Sequence, residues 1–183
     1  MREYSRLTKL ASLSRRYFVI GAFDGALTVL GVVMGAYFGG SMNVKIILTS
    51  GLGGAIALGV SSFWGAWEAE KAEREKEFKE LERHLLEDLS NSIYAEAKTF
   101  AVFWASFIHG IAPIITALIP LSPFLFMDVT QAIWVSIGVT LASLFIIGVY
   151  LGNISGQNVL WTGLRMVLAG IATALICMLI GHF

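Results

Sequence analysis

Five apolar stretches, each about as long as the hydrocarbon core of a bilayer is thick, leave this chain few folds to choose from. They run near 18–39, 46–67, 99–121, 129–150 and 162–182. A helix needs roughly 20 apolar residues to cross about 30 Å of hydrocarbon, and only a helix or a closed barrel satisfies its own backbone there. With 56% hydrophobic residues among 183 and a mean hydropathy of +0.74, the loops hold too little polar surface to clothe a water-soluble core. The sequence therefore predicts an all-α polytopic membrane protein, surrounded by lipid and built as a single membrane domain. Its parts are an N-terminal tail with two spans (1–67), a charged helical segment (68–98) and three further spans (99–183). The formal net charge is zero, without the basic excess that a nucleic-acid partner requires. The single cysteine, Cys177, has no partner for an internal disulfide and reads as a small packing residue.

Charge sets the expected orientation. Arg2, Arg6, Lys9, Arg15 and Arg16 precede the first span, and Lys71, Arg74, Lys76, Lys79, Arg83 and Lys98 follow the second. The 40–45 loop holds only Lys45, and 122–128 holds no base. The positive-inside rule places the N-terminus and the 68–98 segment in the cytoplasm and, after five spans, the C-terminus outside. The first span is too long for a signal-peptide core and lacks a small-residue cleavage site, so it is read as an uncleaved helix. A compact chain without added targeting segments is expected in the cell membrane of a prokaryote.

Within the first span stands an acid: Gly21-Ala22-Phe23-Asp24-Gly25-Ala26-Leu27-Thr28-Val29-Leu30-Gly31-Val32-Val33-Met34-Gly35. An ionised carboxylate at that depth costs at least a few kcal/mol unless a partner, a cation or a proton compensates it. Asp24 thus points to cation or proton handling. At 100° per residue Gly21, Gly25, Thr28, Val32, Gly35 and Gly39 share a narrow stripe, with Asp24 and Gly31 on its shoulder. Small residues at this spacing let helices approach closely. The second span repeats the design with Gly51, Gly54, Ala55, Ser62, Gly65 and Ala69, Ser61 lying beside them, and is expected to pair with the first.

Nothing between Trp64 and His84 breaks a helix, so the second helix is predicted to continue into the cytoplasm. On that extension Glu70, Glu73, Glu77, Glu80 and His84, continued by Glu87 or Asp88, follow a three-four spacing. Lys76, Lys79 and Arg83 lie opposite. An apolar stripe of Phe78, Leu81, Leu85 and Leu89 adjoins the acids and predicts packing against another copy or another segment. Stacked carboxylates with one imidazole suit Mn²⁺, Fe²⁺ or Zn²⁺, and carboxylates alone suit Mg²⁺ or Ca²⁺. By spacing alone, a solvated helix with Glu75–Lys79 and Glu70–Arg74 pairs is the simpler reading.

In the third span His109 precedes Pro113 by four residues. It is either a proton relay or, the favoured reading, a hydrogen-bond partner for a carbonyl that the proline leaves free. Asp128 and Gln131 fall at the outer end of the fourth span, Asn153, Gln157 and Asn158 in a polar inner loop before Arg165. Trp104, Trp134 and Trp161 read as lipid-facing or interfacial anchors. No nucleophile and base, phosphate-cradling loop or Cys/His zinc spacing is found, which argues against an enzyme.

The run from Asp24 to Gly35 resembles the first-helix signature of the vacuolar iron transporter family: Asp-Gly, then Thr, then spaced glycines. Ala55-Ile56-Ala57-Leu58-Gly59 sits where that family has a Ser-Met-Ala-x-Gly-Glu-Tyr-like motif followed by an acidic extension. Phe100-Ala101-Val102-Phe103 and Gly110-Ile111-Ala112-Pro113 resemble its third helix, and Gly163 to Gly181 its small-residue-rich last helix. The resemblance implies a five-helix protomer in a homodimer that exports Fe²⁺ or Mn²⁺ from the cytosol in exchange for protons, with no tightly bound cofactor. It makes Asp24 the membrane carboxylate of a transport path, for which Thr28, Ser61, Ser62 and His109 are the further candidates in this sequence. It also makes Glu70, Glu73 and Glu77, with Glu80 and His84, a cytosolic metal-collecting site. Two positions depart from the family. Ile56 stands where it places a methionine and Val60 where it places a glutamate, and no methionine occurs between Met42 and Met127. Losing thioether ligands moves preference toward harder cations such as Mn²⁺. The alternative is a non-transporting membrane module whose glycine faces oligomerise and whose charged helix docks a cytoplasmic partner.

Overall fold

The computed structural model describes residues 10–40 and 43–181. Arg2, Arg6, Lys9 and Met42, named above, lie outside them. Five long helices follow one another: α1 (Leu10–Phe38), α2 (Val44–Leu85), α3 (Ile93–Leu121), α4 (Val129–Ser155) and α5 (Val159–Ile180). Each is long and apolar enough to cross a membrane. A short 3-10 turn, Ser122–Leu125, follows α3, and no strand occurs among the described residues. The chain is an all-α multi-pass membrane protein, as its hydropathy dictates.

The helix ends follow from local chemistry. Gly39 and Gly40 close α1: the Gly39 N–H donates to Gly35 O at 2.9 Å, and Gly40 takes φ +85, a conformation that L side chains rarely adopt. Gly39, expected to pack a neighbouring helix, instead terminates its own. Asn43 caps α2, its Oδ1 accepting from the Lys45 N–H at 2.9 Å. Asn158, expected to be merely a polar loop residue, caps α5 by accepting from the Leu160 and Trp161 N–H groups. Asp128 is the N-cap residue of α4 but makes no side-chain cap bond.

The 42-residue α2 is a single helix whose second half forms the charged extension. It stops at Leu85, where Leu86 takes φ +54 to reverse the chain. Glu87 and Asp88 therefore do not continue the acidic face. The Asp88 carboxylate instead accepts from the Ser90 hydroxyl and N–H, bonds that hold it below the usual carboxylate range. Glu82 Oε1 accepts from the Leu89 N–H at 3.1 Å and pins the same turn. Helices α1 and α3 both begin well before the apolar runs that announced them, because helical hydrogen bonding does not stop where hydropathy does.

The chain divides into two compact units. One comprises the chain up to Gly21 together with Gly59–Ala112, the other Ala22–Leu58 together with the chain from Pro113 on. In the first unit, Leu13, Ala101 and Ala105 form a small core against Tyr17. Gly110 of α3 lies against α2, where an added Cβ would come within 2.7 Å of Phe63 Cβ and 3.0 Å of Gly59 O. Trp104 is no free anchor, since its indole N–H donates to Ser14 Oγ at 3.0 Å. The extension packs as its apolar stripe foretold at Phe78 and Leu89, which are buried, but Leu85 is exposed. Its packing partner is the start of α3, where Lys98 Nζ lies 4.0 Å from the centre of the Phe78 ring.

Lys98 also donates to Glu75 Oε2 at 2.6 Å and so ties α3 to the extension. This bond and the Lys98 charge hold the Glu75 carboxyl below its ordinary range, with Lys79 adding to the effect. A depressed folded-state value makes the stabilisation complete above the ordinary glutamate range and removes it as the pH falls through the depressed value. Amide exchange at the end of α2 should therefore rise on acidification, and Lys98→Met should remove that dependence. An unchanged acid response in Lys98→Met would assign it to other groups.

The second unit is centred on Leu30, Val33, Ile47 and Ile133, all fully buried. Here α4 and α5 approach almost backbone to backbone: a Cβ on Gly148 would fall 2.7 Å from Gly163 Cα. The glycines of α1 do not serve one neighbour. Gly25 is seated on α3, a Cβ on Gly31 would lie 3.8–3.9 Å from Cys177 and Thr173 of α5, and a Cβ on Gly35 would meet nothing within 4 Å. Gly51 packs on Leu121, and a Cβ added to Gly54 would touch Val32 of α1 at ordinary distance. Gly21 is buried.

Candidate functional site

Asp24 stands half-buried in the middle of α1 and is engaged by its surroundings. The residue after it, Gly25, lies so close to α3 that an added Cβ would collide with the Pro113 backbone and come within 2.6 Å of Thr116 Oγ1. Gly25, and not Asp24 itself, thus meets a helix whose ladder is interrupted: Pro113 and Pro120, both inside α3, bring no N–H. Thr28, one turn further on, is exposed. These residues belong to one compact unit, and Ser61, Ser62 and His109 to the other. Ser61 is exposed, Ser62 half-buried.

The His109 Nδ1–H donates to the Tyr17 carbonyl at 3.2 Å, and the two rings meet edge-on at 5.1 Å. The favoured expectation was a hydrogen bond to a carbonyl freed by the proline. The acceptor is instead a helical carbonyl of α1, because the group that Pro113 deprives of its donor is the carbonyl of His109 itself.

The acids of the extension are placed unequally. Glu70 is buried, and both of its oxygens are engaged. Oε1 accepts from Arg16 Nη2 at 3.0 Å and from the Tyr17 hydroxyl at 2.7 Å, and Oε2 faces Arg74 Nε at 3.4 Å. Arg74 also reaches Glu77 Oε2 at 2.9 Å. Glu73, Glu77, Glu80 and His84 are exposed. The His84 Nδ1–H donates to Glu80 O at 2.7 Å, which leaves Nε2 as the ring nitrogen outside that bond. Among the described residues no three His, Cys, Asp or Glu side chains are gathered as a metal ion would need. The helix accounts for this: carboxylates one turn apart keep Cβ atoms about 5–6 Å from each other, and nearby bases compete for them. The anticipated Glu70–Arg74 and Glu75–Lys79 pairs are both present.

Arg16, Tyr17 and Lys98 are the functional surroundings that sequence reasoning missed. Arg74 was visible as the i+4 partner of Glu70, whereas Arg16, 54 residues away from it, was legible only as an inside-positive charge. Ile56 and Val60, the two departures from the family pattern, are both exposed, at 54% and 62%.

Five membrane-crossing helices, a carboxylate in the first and a charged helical extension on the second define a polytopic membrane protein. The sequence profile of the VIT family matches residues 15–105 and 89–182, and the chain belongs to that family, the one its first helix resembles. It is also similar to the uncharacterized protein MJ0645 of Methanocaldococcus jannaschii. The two are 41% identical over 168 residues, which cover 90% of this chain and 87% of the relative.

Proposed function

We propose that this protein exports a divalent metal cation, Fe²⁺ or Mn²⁺, from the cytosol in exchange for protons, and that it works as a homodimer. The observation that carries the reading is Asp24, a half-buried acid in the middle of a membrane helix, next in sequence to the Gly25 that seats this helix on the Pro113–Thr116 segment. A carboxylate so placed can carry a cation in one state and a proton in the next, which is the chemistry of exchange. Membership of a transporter family supports transport rather than catalysis. The exposed Glu73, Glu77, Glu80 and His84 serve as the collecting face, presenting hard oxygens and one imidazole nitrogen to cytosolic cations. In this reading the N-terminus and the extension lie in the cytoplasm, and the membrane is the cell membrane of a prokaryote. Ile56 in place of a thioether removes a soft ligand and makes Mn²⁺ or another divalent ion as good a candidate as Fe²⁺.

The test is flux of Mn²⁺ and Fe²⁺ into liposomes containing the purified protein, with and without an imposed pH gradient. Exchange predicts uptake that a proton gradient directed out of the lumen accelerates and that alkalinises the lumen in step. Liposomes as tight to both ions as protein-free controls would instead leave the non-transporting module, in which the charged helix docks a cytoplasmic partner.

A further inference from the structure

Four charged side chains of alternating sign run from the exposed face of α2 to α1. Glu77 (56% exposed) holds Arg74 (18%) at 2.9 Å, and Arg74 faces Glu70 (7%) at 3.4 Å. Glu70 in turn holds Arg16 (59%) at 3.0 Å and accepts from the Tyr17 hydroxyl at 2.7 Å. Within this chain, Arg74 is one guanidinium shared between two carboxylates. Its bond to Glu77 is the shorter, so the buried Glu70 receives only part of its charge and draws the rest of its compensation from α1. The arrangement is poised to redistribute: whatever removes Glu77 from Arg74 returns Arg74 to Glu70, and Glu70 then needs Arg16 less.

We propose that Arg74 and Glu70 relay the occupancy of Glu77 to the N-terminal turns of α1, a divalent cation on Glu77 loosening the hold of Glu70 on Arg16 and Tyr17. Glu70 is then a positioning residue rather than a ligand for cargo, since both of its oxygens are committed within the protein and two guanidinium groups repel a metal ion from it. The helix it positions is the one that bears Asp24, seven residues beyond Tyr17 in sequence. The cation input rests on the reading of the exposed acids as a collecting face. The relay itself can be probed without metal.

The experiment is hydrogen exchange, read by mass spectrometry, on the full protein in lipid nanodiscs at constant pH. Glu77→Gln removes the exposed charge without touching α1 and should accelerate exchange of amides 11–20 by about five-fold, the lower end of measured coupling between sites. Glu73→Gln, an exposed acid on the same helix, should leave them unchanged. Adding Mn²⁺ to the wild type should reproduce the Glu77→Gln acceleration, and adding it to Glu77→Gln should do nothing more at α1. Glu77→Gln with wild-type exchange at α1 overturns the relay, and so does an equal response to Glu73→Gln. Calorimetry on the same samples separates the remaining cases. Mn²⁺ bound without any change at α1 overturns the relay and leaves the collecting face standing. If Mn²⁺ is not bound at all, the collecting face fails and the relay's cation input fails with it.

Discussion

Gly25→Leu is expected to yield no folded protein, and Gly25→Ala to lose about 3 kcal/mol or more of stability. Even a single methyl group at this position would overlap the Pro113 backbone and crowd the Thr116 hydroxyl. Backbone atoms inside a helix cannot step aside as a side-chain tip can, so the strain must be relieved by separating α1 from α3. The helix-propensity gain of about 1 kcal/mol that alanine brings over glycine is too small to offset it. Gly35 supplies the control on the same helix. Nothing lies within 4 Å of a Cβ built there, and Gly35→Ala should fold as well as wild type or slightly better. Thermal unfolding in detergent, followed by circular dichroism, reads both. Equal melting of the two alanine variants would mean that α1 and α3 do not meet closely at Gly25.

Asp24→Asn is expected to abolish metal and proton exchange, reducing flux to that of protein-free liposomes, while the melting temperature and the elution volume stay those of wild type. The amide keeps the size and polarity of the carboxylate but cannot ionise. It can therefore satisfy the same neighbours without binding a proton or compensating a metal charge. A purely structural acid predicts the reverse pattern: either full transport, or a destabilised fold through an unpaired partner. Wild-type exchange in well-folded Asp24→Asn would remove Asp24 from the mechanism and leave the transporter reading without its main support.

The helices were legible because hydropathy and length are properties of the sequence alone, and five apolar runs became five helices. Their ends were less so. Gly39 looked like a packing residue because a stripe at 100° per residue does not reveal where the helix ceases. The small residues announced close contacts but not with whom: Gly25 serves α3, Gly31 faces α5, and Gly35 faces open space. In the extension, the short-range pairs follow from i+4 spacing, so Glu70–Arg74 and Glu75–Lys79 could be read directly. The burial of Glu70 could not, because it depends on Arg16 and Tyr17 arriving from another helix. Long-range partners of this kind are set by tertiary packing, and no local pattern encodes them.

The length of α2 has a mechanical consequence. At about 1.5 Å per residue, its 42 residues make a rod about 63 Å long, roughly twice the thickness of the hydrocarbon core. Proline-free and tied to the start of α3 by the Glu75–Lys98 pair, the extension moves together with that segment as a lever arm. A tilt of about 10° at the membrane surface would sweep its tip near Leu85 through about 5 Å, because some 27 Å of helix lie beyond that pivot. A spin label or fluorophore at the nearly fully exposed Leu86 (92%) would thus magnify motions of the buried half that are too small to measure where they arise.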